Sequence, residues 1–128
     1  SDSGVHSHEL ILHALIKMAC EYKIKNIVVH AFLDGRDTPP QSATVYLTRL
    51  DKIFKTTGCG KLGSIHGRFY AMDRDKNWER TERSYLTLTR ENKDDEKNFN
   101  NWQEALDYYY SQNITDEFIP PTKLILNH

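Results

Sequence analysis

Three arginines stand close to the ends of predicted strands, where they could hold an anionic ligand. Arg36 follows an apolar run that ends at Leu33, and Arg68 follows the next predicted strand after a single glycine. Arg74 comes shortly afterwards in a charged, aromatic stretch. Planar guanidinium groups bind phosphate and carboxylate oxygens in a bidentate manner, so a small acid carrying either group is the natural ligand. The spacing leaves one alternative open, a set of surface ion pairs with the neighbouring aspartates.

Two acids, Asp34 and Asp37, flank Arg36 at the end of the first predicted strand. One interpretation is an aspartate that accepts a phosphoryl group or binds a metal ion. A second is a carboxylate that orients the hydroxyl groups of a ligand. A third is capping of a helix that begins near Pro39, and we favour a structural role of this kind for Asp34.

Two histidines near the start, His6 and His8, could form a metal pair, but the sequence offers no third ligand nearby. A single histidine between a glycine turn and a helix start is better placed to donate a hydrogen bond to an anionic ligand. No serine lies in a nucleophile elbow, and the chain has neither a Walker loop nor a dinucleotide-binding fingerprint.

Composition narrows the class of protein. The chain has 128 residues, 38% of them hydrophobic, and a net charge of -1, which indicates one globular domain. This charge does not favour a nucleic-acid or membrane-surface partner, and no apolar run is long enough to span a membrane. Cys20 and Cys59 form neither a disulfide framework nor a zinc motif, so we expect a reducing, cytoplasmic setting.

The first half of the chain alternates helical and strand patterns. A helix is predicted from a cap at Ser7, followed by a strand over residues 27–33 that is covered on both faces. Thr38 is predicted to cap a second helix, and a second strand covers residues 61–66. The apolar face predicted for the first helix consists of Ile11, Ala14, Leu15, Met18, Ala19 and Tyr22. This order predicts an α/β fold, a three-layer αβα arrangement with a mainly parallel, truncated sheet.

The second half is more polar. Residues 67–76 read as a loop, and a helix is predicted over 78–89 with Trp78, Tyr85 and Leu88 facing inward. Residues 90–101 are predicted to be an exposed loop. Asn101 with Glu104 resembles a capping box in front of a further helix, and residues 123–126 could form a last strand. We interpret residues 1–128 as a single α/β domain.

Four stretches, in this order, resemble motifs of the cofactor-independent (2,3-bisphosphoglycerate-independent) phosphoglycerate mutase family. They are residues 1–8 (SDSGVHSH), residues 30–40 (HAFLDGRDTPP), residues 67–80 (GRFYAMDRDKNWER) and the weaker stretch 116–122 (DEFIPPT). The second and third are long and specific, and the resemblance spans nearly the whole chain. One departure is Ser3, which stands where the family usually has glycine.

The resemblance implies an enzyme of glycolysis and gluconeogenesis that interconverts 3-phosphoglycerate and 2-phosphoglycerate through a phosphoserine intermediate. In this family, a domain similar to alkaline phosphatases carries the serine nucleophile and two manganese ions. A second α/β domain is inserted into it and grips the glycerate. The chain then resembles most of that inserted domain, with the nucleophile and metals outside it, no metal site of its own and no turnover alone. Its partner would be the phosphatase-like domain of the same polypeptide.

Carried over by motif, the substrate-binding residues are His6, Arg36, Asp37, Arg68 and Arg74. The resemblance implies that the arginines hold carboxylate and phosphoryl oxygens and that His6 completes the anion site. Asp37 would orient a glycerate hydroxyl or exchange a proton with it. Two alternatives remain open: a self-contained phosphohydrolase with a strand-end aspartate nucleophile, and a non-catalytic module that binds small phosphorylated acids.

Overall fold

The chain folds into a small β-sheet with helices packed against it in the computed structural model, which describes residues 1–90 and 97–125. The elements are α1 (Glu9–Glu21), β1 (Val28–Leu33), α2 (Ala43–Thr57), β2 (Lys61–Gly67), α3 (Arg68–Ala71), α4 (Trp78–Thr89), α5 (Trp102–Ser111), a 3-10 turn (Asp116–Phe118) and β3 (Thr122–Lys123). Within these described ranges, no helix combines the length and the apolar character needed to cross a membrane.

The sheet has the order β1-β2-β3, with β1 and β2 parallel and β3 antiparallel to β2. The mainly parallel α/β arrangement predicted from the alternating pattern is therefore confirmed. Leu33 lies opposite Gly67, so β1 and β2 end side by side. The segments that carry Arg36 and Arg68 consequently leave the sheet at the same edge.

The core is built from α2, α5 and the inward-facing residues of the sheet. Ile65, Leu106 and Ile119 are fully buried within it, and burying a side chain of this size contributes roughly 1.5–3 kcal/mol. On α2 the buried residues are Ala43, Leu47 and Leu50. The buried apolar set is Ile16, Val29, Leu33, Ala43, Leu47, Leu50, Leu62, Ile65, Phe99, Trp102, Ala105, Leu106, Tyr109, Ile119 and Leu124.

Helix α1 presents the opposite face to the one predicted. Its buried residues are Glu9, His13 and Ile16, whereas Leu15 and Tyr22 of the predicted apolar face are exposed. The helix also begins later than predicted, because the imidazole of His8, not Ser7, accepts the capping hydrogen bond, from the Leu10 N–H. Periodicity identified an apolar face correctly but could not show whether a neighbouring element covers it.

Two further predictions of buried faces are wrong for the same reason. Strand β1 is covered on one face only among the described residues, since Val29 and Leu33 are buried while Phe32 is exposed. In α4 the buried residue is Ser84. The three residues that were predicted to face inward, Trp78, Tyr85 and Leu88, are exposed.

The start of α2 is set by a residue far away in the sequence. The helix begins at Ala43 and not at the predicted cap Thr38. Its first N–H groups, from Ser42 and Ala43, donate to the Asp116 carboxylate at 2.9 and 2.8 Å. Thr38 instead accepts a hydrogen bond from the Gly35 N–H. Such a carboxylate fills the capping role that local serine or threonine residues usually take.

Four predictions concern the C-terminal half. The predicted loop over residues 67–76 contains the short helix α3. Half of the predicted exposed loop 90–101 falls on residues 91–96, which lie outside the described part. Of its described residues, Phe99 is buried and the others are exposed. The cap at Asn101 is confirmed by its bond from the Glu104 N–H. The last strand is shorter and earlier than predicted, with residues 126–128 outside the described part.

Cys20 and Cys59 are joined as a disulfide, contrary to the expectation of unpaired thiols. Their Cα atoms are 5.9 Å apart although 39 residues separate them in the chain. The link connects the end of α1 to the turn before β2. Cysteine number and spacing did not reveal the pair, because only the fold brings the two positions together.

A chain of polar side chains runs from the exposed His30 to three buried residues, Ser64, His66 and Ser84. The Ser64 hydroxyl lies 2.7 Å from both His30 Nδ1 and His66 Nε2, and His66 Nδ1 lies 3.1 Å from the Ser84 hydroxyl. His66 has 0% of its surface exposed. Burial, with a smaller contribution from His30, lowers the pKa of His66 to about 4. The imidazole is therefore neutral in the folded protein at neutral pH.

This histidine should make folding stability fall as the medium is acidified. The unfolded imidazole binds a proton at a pKa of about 6.5, whereas the folded one does so only near 4. This group therefore leaves the free energy of unfolding unchanged above pH 6.5 and lowers it progressively as the pH falls toward 4. The loss should reach about 3 kcal/mol, measured by urea unfolding of the wild-type chain at pH 7.5 and 4.5. His66→Gln should show a smaller difference between these two pH values. An equal difference in both proteins would contradict the prediction.

Candidate anion-binding site at the strand ends

The turn after β1 is organised around the carboxylate of Asp34. Its Oδ1 accepts hydrogen bonds from the N–H groups of Arg36 and Asp37, at 3.2 and 2.9 Å, and from Arg68 Nη1 at 2.8 Å. Its Oδ2 accepts from the hydroxyls of Ser1 and Ser3. The side chain is only 10% exposed. One carboxylate thus fixes the backbone of the turn and the direction of an arginine from the neighbouring strand end.

These donors decide the ionisation of Asp34. Burial alone would raise the pKa of Asp34, but the hydrogen bonds from Asp37, Ser1, Arg36 and Arg68 outweigh it and hold the pKa well below its usual range. The carboxylate is ionised, and both of its oxygens are occupied. This arrangement argues against Asp34 as a free nucleophile, which a self-contained phosphohydrolase of this kind would need.

Two glycines allow the 3-10 turn Asp116–Phe118 to approach both strand ends. Gly35 has φ of +74°, and a Cβ there would lie 2.8 Å from the Cβ of Asp116. A Cβ on Gly67 would lie 2.4 Å from the carbonyl oxygen of Glu117. Only glycine fits at these positions. The acids of the 3-10 turn are thereby brought to the same edge of the sheet as the arginines.

Arg68 is the most enclosed cation of the site. It is the first residue of α3, and its side chain is 13% exposed. Nη1 donates to Asp34 and, at 2.7 Å, to Asp37 Oδ2, while Nη2 donates to His6 Nε2 at 3.0 Å. Burial would lower the pKa of Arg68, but the hydrogen bonds and charges of Asp37 and Asp34 raise it overall. The guanidinium is a fixed positive charge that links three segments of the chain.

The two candidate histidines do not act as a pair. Because a guanidinium can only donate, His6 accepts the Arg68 hydrogen bond on Nε2, which leaves the proton on Nδ1. His8 instead caps α1. Among residues 1–90 and 97–125, no group of three or more histidine, cysteine or acidic side chains that could hold a metal ion was found. The geometry of the described residues therefore offers no support for the metal interpretation of His6 and His8.

His6, Arg36, Arg68 and Arg74 line one cleft with a volume of about 290 Å³. Arg36 is 57% exposed and lies 3.6 Å from Glu117 Oε1. Arg74 is exposed and makes no ion pair within the part of the chain that the structure describes. Asp37 is not part of the cleft lining but contacts it through Arg68. The structure thus brings four of the five predicted residues together around one opening and the fifth beside it.

This arrangement can bind a small anion with more than one charged group. Arg74 and Arg36 have weak or no internal partners, so their guanidinium groups are available to ligand oxygens. Arg68 is already neutralised by two acids and supplies a fixed wall. No hydroxyl in this cluster is set up as a nucleophile, since those of Ser1 and Ser3 donate to Asp34. Binding and orientation are the chemistry that these residues support.

Sequence reasoning missed two residues that shape the cleft. Glu117 pairs with Arg36, and Arg80 also lines the opening. Both stand in stretches that were recognised as motifs, DEF and WER, but neither had an assigned role. The sequence did contain a signal for both residues, because Glu117 and Arg80 stand in unusually polar segments next to aromatic residues.

The chain matches a family model, BPG-independent PGAM N-terminus, over residues 1–127. It is 48% identical over 122 residues to a 2,3-bisphosphoglycerate-independent phosphoglycerate mutase of Symbiobacterium thermophilum, covering 95% of this chain and 23% of that protein. It is 44% identical over 128 residues to the enzyme of the same name from Legionella pneumophila, strain Paris, covering 100% of this chain and 24% of that protein.

A solved structure is similar over almost the whole chain. It is a crystal structure of Leishmania mexicana phosphoglycerate mutase at low cobalt concentration, with a TM-score of 0.88 and 30% sequence identity. The similarity covers 99% of this chain and 24% of that one. The chain therefore spans about a quarter of the length of the relatives it matches.

Proposed function

The chain belongs to the BPG-independent phosphoglycerate mutase family, and from this premise we propose that it is the substrate-binding part of an enzyme interconverting 3-phosphoglycerate and 2-phosphoglycerate. The observation that supports this most directly is the single cleft lined by His6, Arg36, Arg68 and Arg74. Both phosphoglycerates carry a phosphoryl group and a carboxylate, and several guanidinium groups around one opening suit a ligand with two anionic ends.

The roles follow from how strongly each side chain is already engaged. Arg36 and Arg74 bind carboxylate and phosphoryl oxygens, because they have the weakest internal partners. Arg68 holds Asp37 in place, and Asp37 orients a glycerate hydroxyl or exchanges a proton with it. His6 donates its Nδ1–H to the anion, since its Nε2 accepts from Arg68.

The chemical step belongs, in this proposal, to the rest of the longer polypeptide. A domain of the alkaline phosphatase type would supply the serine nucleophile and would hold two manganese ions. These ions would activate the serine and polarise the phosphoryl group. That domain is also the partner of this chain and forms the other wall of the active site. We place the enzyme in the cytoplasm, in glycolysis and gluconeogenesis, on the basis of the family's reaction alone. The cysteines do not support this placement, because Cys20 and Cys59 are paired.

The proposal predicts turnover by the full-length enzyme and none by residues 1–128 alone. Both proteins are incubated with manganese and 3-phosphoglycerate, and conversion to 2-phosphoglycerate is followed by phosphorus NMR. The isolated chain should be inactive because it contributes binding groups but no prepared nucleophile.

The same experiment separates the alternatives. Inactivity of the full-length protein, or mutase turnover by the isolated chain, would overturn the proposal. Release of inorganic phosphate by the isolated chain would support a self-contained phosphohydrolase instead. Binding of 3-phosphoglycerate to the full-length protein is measured by calorimetry. Binding without any turnover would favour a non-catalytic binding module.

A further inference from the structure

Arg80 contacts both segments that carry the arginines Arg68 and Arg74. It lies in the first turn of α4, and its guanidinium carbon is 3.8 Å from the centre of the Phe69 ring. Its Nη1 also donates to Asp73 Oδ1 at 3.0 Å. Phe69 directly follows Arg68, and Asp73 directly precedes Arg74. One side chain therefore connects the residue that follows Arg68 with the residue that precedes Arg74.

The contact with Asp73 is the enclosed one. The Asp73 side chain is only 2% exposed, and its other oxygen accepts the Asn77 N–H at 2.8 Å. A carboxylate so buried needs a paired cation, because an uncompensated buried charge is strongly destabilising. Arg80 supplies that cation and also reaches the exposed Asp75 at 3.3 Å. The segment from Asp73 to Asn77, with Arg74 inside it, is thereby held against the start of α4.

The contact with Phe69 extends the connection across the cleft. Phe69 packs against Phe118 with ring centres 5.1 Å apart. Phe118 follows Glu117, the acid that pairs with Arg36. A planar guanidinium can stack on a ring and donate to a carboxylate at the same time, whereas an ammonium group has no flat face to stack. Lysine could keep the charge at this position but not both contacts.

We propose, resting on the function proposed above, that Arg80 is a positioning residue that sets where Arg74 stands relative to Arg68. In this proposal it acts through its neighbours and not as a substrate ligand, since its Nη1 already donates to Asp73 and Asp75. Its effect on catalysis is transmitted through Asp73 to Arg74 and through Phe69 to Arg68. The substrate must meet Arg74 and also Asp37 and His6, which Arg68 holds in place. A displacement of Arg74 relative to Arg68 therefore reduces the rate even when each arginine is still present.

The test is a double-mutant cycle in the full-length enzyme with the Arg80→Lys and Arg74→Ala variants. In the wild-type background, Arg80→Lys should lower kcat/KM by about 10- to 100-fold, because Arg74 is present but misplaced. In the Arg74→Ala background, the same change should lower kcat/KM by less than about threefold, because the group being positioned is gone. Kinetics with 3-phosphoglycerate give all four values.

A matched control is Arg83→Lys, since Arg83 lies on the same helix and stacks on Tyr70 at 4.7 Å but does not line the cleft. It should leave kcat/KM unchanged. Should Arg80→Lys fail to fold, Asp73→Asn keeps the shape of the side chain and enters the same cycle, with the same dependence on Arg74 expected.

Two outcomes would overturn the inference. An equal loss from Arg80→Lys in both backgrounds would mean that Arg80 acts by general stability, while the role of Arg74 would stand. Wild-type kinetics for Arg74→Ala would remove Arg74 from the site, and the proposed binding roles and this inference would fail together.

Discussion

Replacing Arg68 with lysine in the full-length enzyme should lower kcat/KM by about 100- to 1000-fold. Arg68 uses two nitrogens to contact Asp34, Asp37 and His6 at once, at 2.8, 2.7 and 3.0 Å. A lysine ammonium is a compact point charge with fewer hydrogen-bond donors than a guanidinium, and it cannot keep the three contacts in this geometry. Asp37 and His6 would then lose the group that orients them, so steady-state kinetics in both reaction directions should show the loss.

The comparison variant is Arg49→Lys. Arg49 also pairs with acids, Glu9 and Asp2, but it lies on α2 and does not line the cleft. It should retain kcat/KM close to that of the wild type. If Arg68→Lys also stays within about threefold of the wild type, the linked arrangement of Arg68 has no catalytic importance.

Removing the Asp34 carboxylate should destabilise the chain and disable the site together. Asp34→Ala leaves the mostly buried Arg68 guanidinium and the N–H groups of Arg36 and Asp37 without their acceptor. Leaving such groups unpaired costs about 2–4 kcal/mol in the free energy of unfolding. Urea unfolding at pH 7 measures this loss, and kinetics of the full-length variant should show a fall in kcat/KM at least as large as that for Arg68→Lys.

The pH dependence separates charge from shape at this position. Because the folded pKa of Asp34 is lowered, its charge stabilises the fold above the unfolded pKa of about 3.9 and that contribution is lost as pH falls below it. Asp34→Asn, which keeps an acceptor oxygen but no charge, should be less stable than the wild type at pH 7. The gap between the two should narrow as pH falls below about 4. A gap that does not change with pH would contradict a charge-based role.

The strand ends were predictable because their signals are local. A β-branched apolar run followed by a glycine and charged residues identified the end of β1, and parallel pairing then placed Arg36 and Arg68 at one edge. His6 and Arg74 were candidates because of their residue types and neighbours. Their assignment to one site with Arg36 and Arg68 came from the resemblance to a family, since neither lies at a strand end. Asp34 was predicted to have a structural role, but its contacts were not predicted. Its carboxylate accepts from five donors, and these come from residues as far apart as Ser1 and Arg68.

Long-range polar contacts and the direction of apolar faces could not be predicted. Asp116 caps α2 across 74 residues, and no local pattern reports such a contact. On α1, four-residue spacing revealed an apolar face, but Glu9 and His13 make the inward contacts. Periodicity describes a helix surface and says nothing about its neighbours. The prediction of inward-facing residues on α4 was wrong for the same reason, since Trp78 is exposed and Ser84 is buried.

The bond between Cys20 and Cys59 makes a covalent ring of the residues between them. That ring contains β1, α2 and the turn that carries Arg36 and Asp37. A protease that cuts the exposed turn at Arg36 would therefore open the ring without releasing either half of the molecule. The nicked protein would keep its mass on a non-reducing gel, and its two pieces would separate only after a reductant breaks the tether.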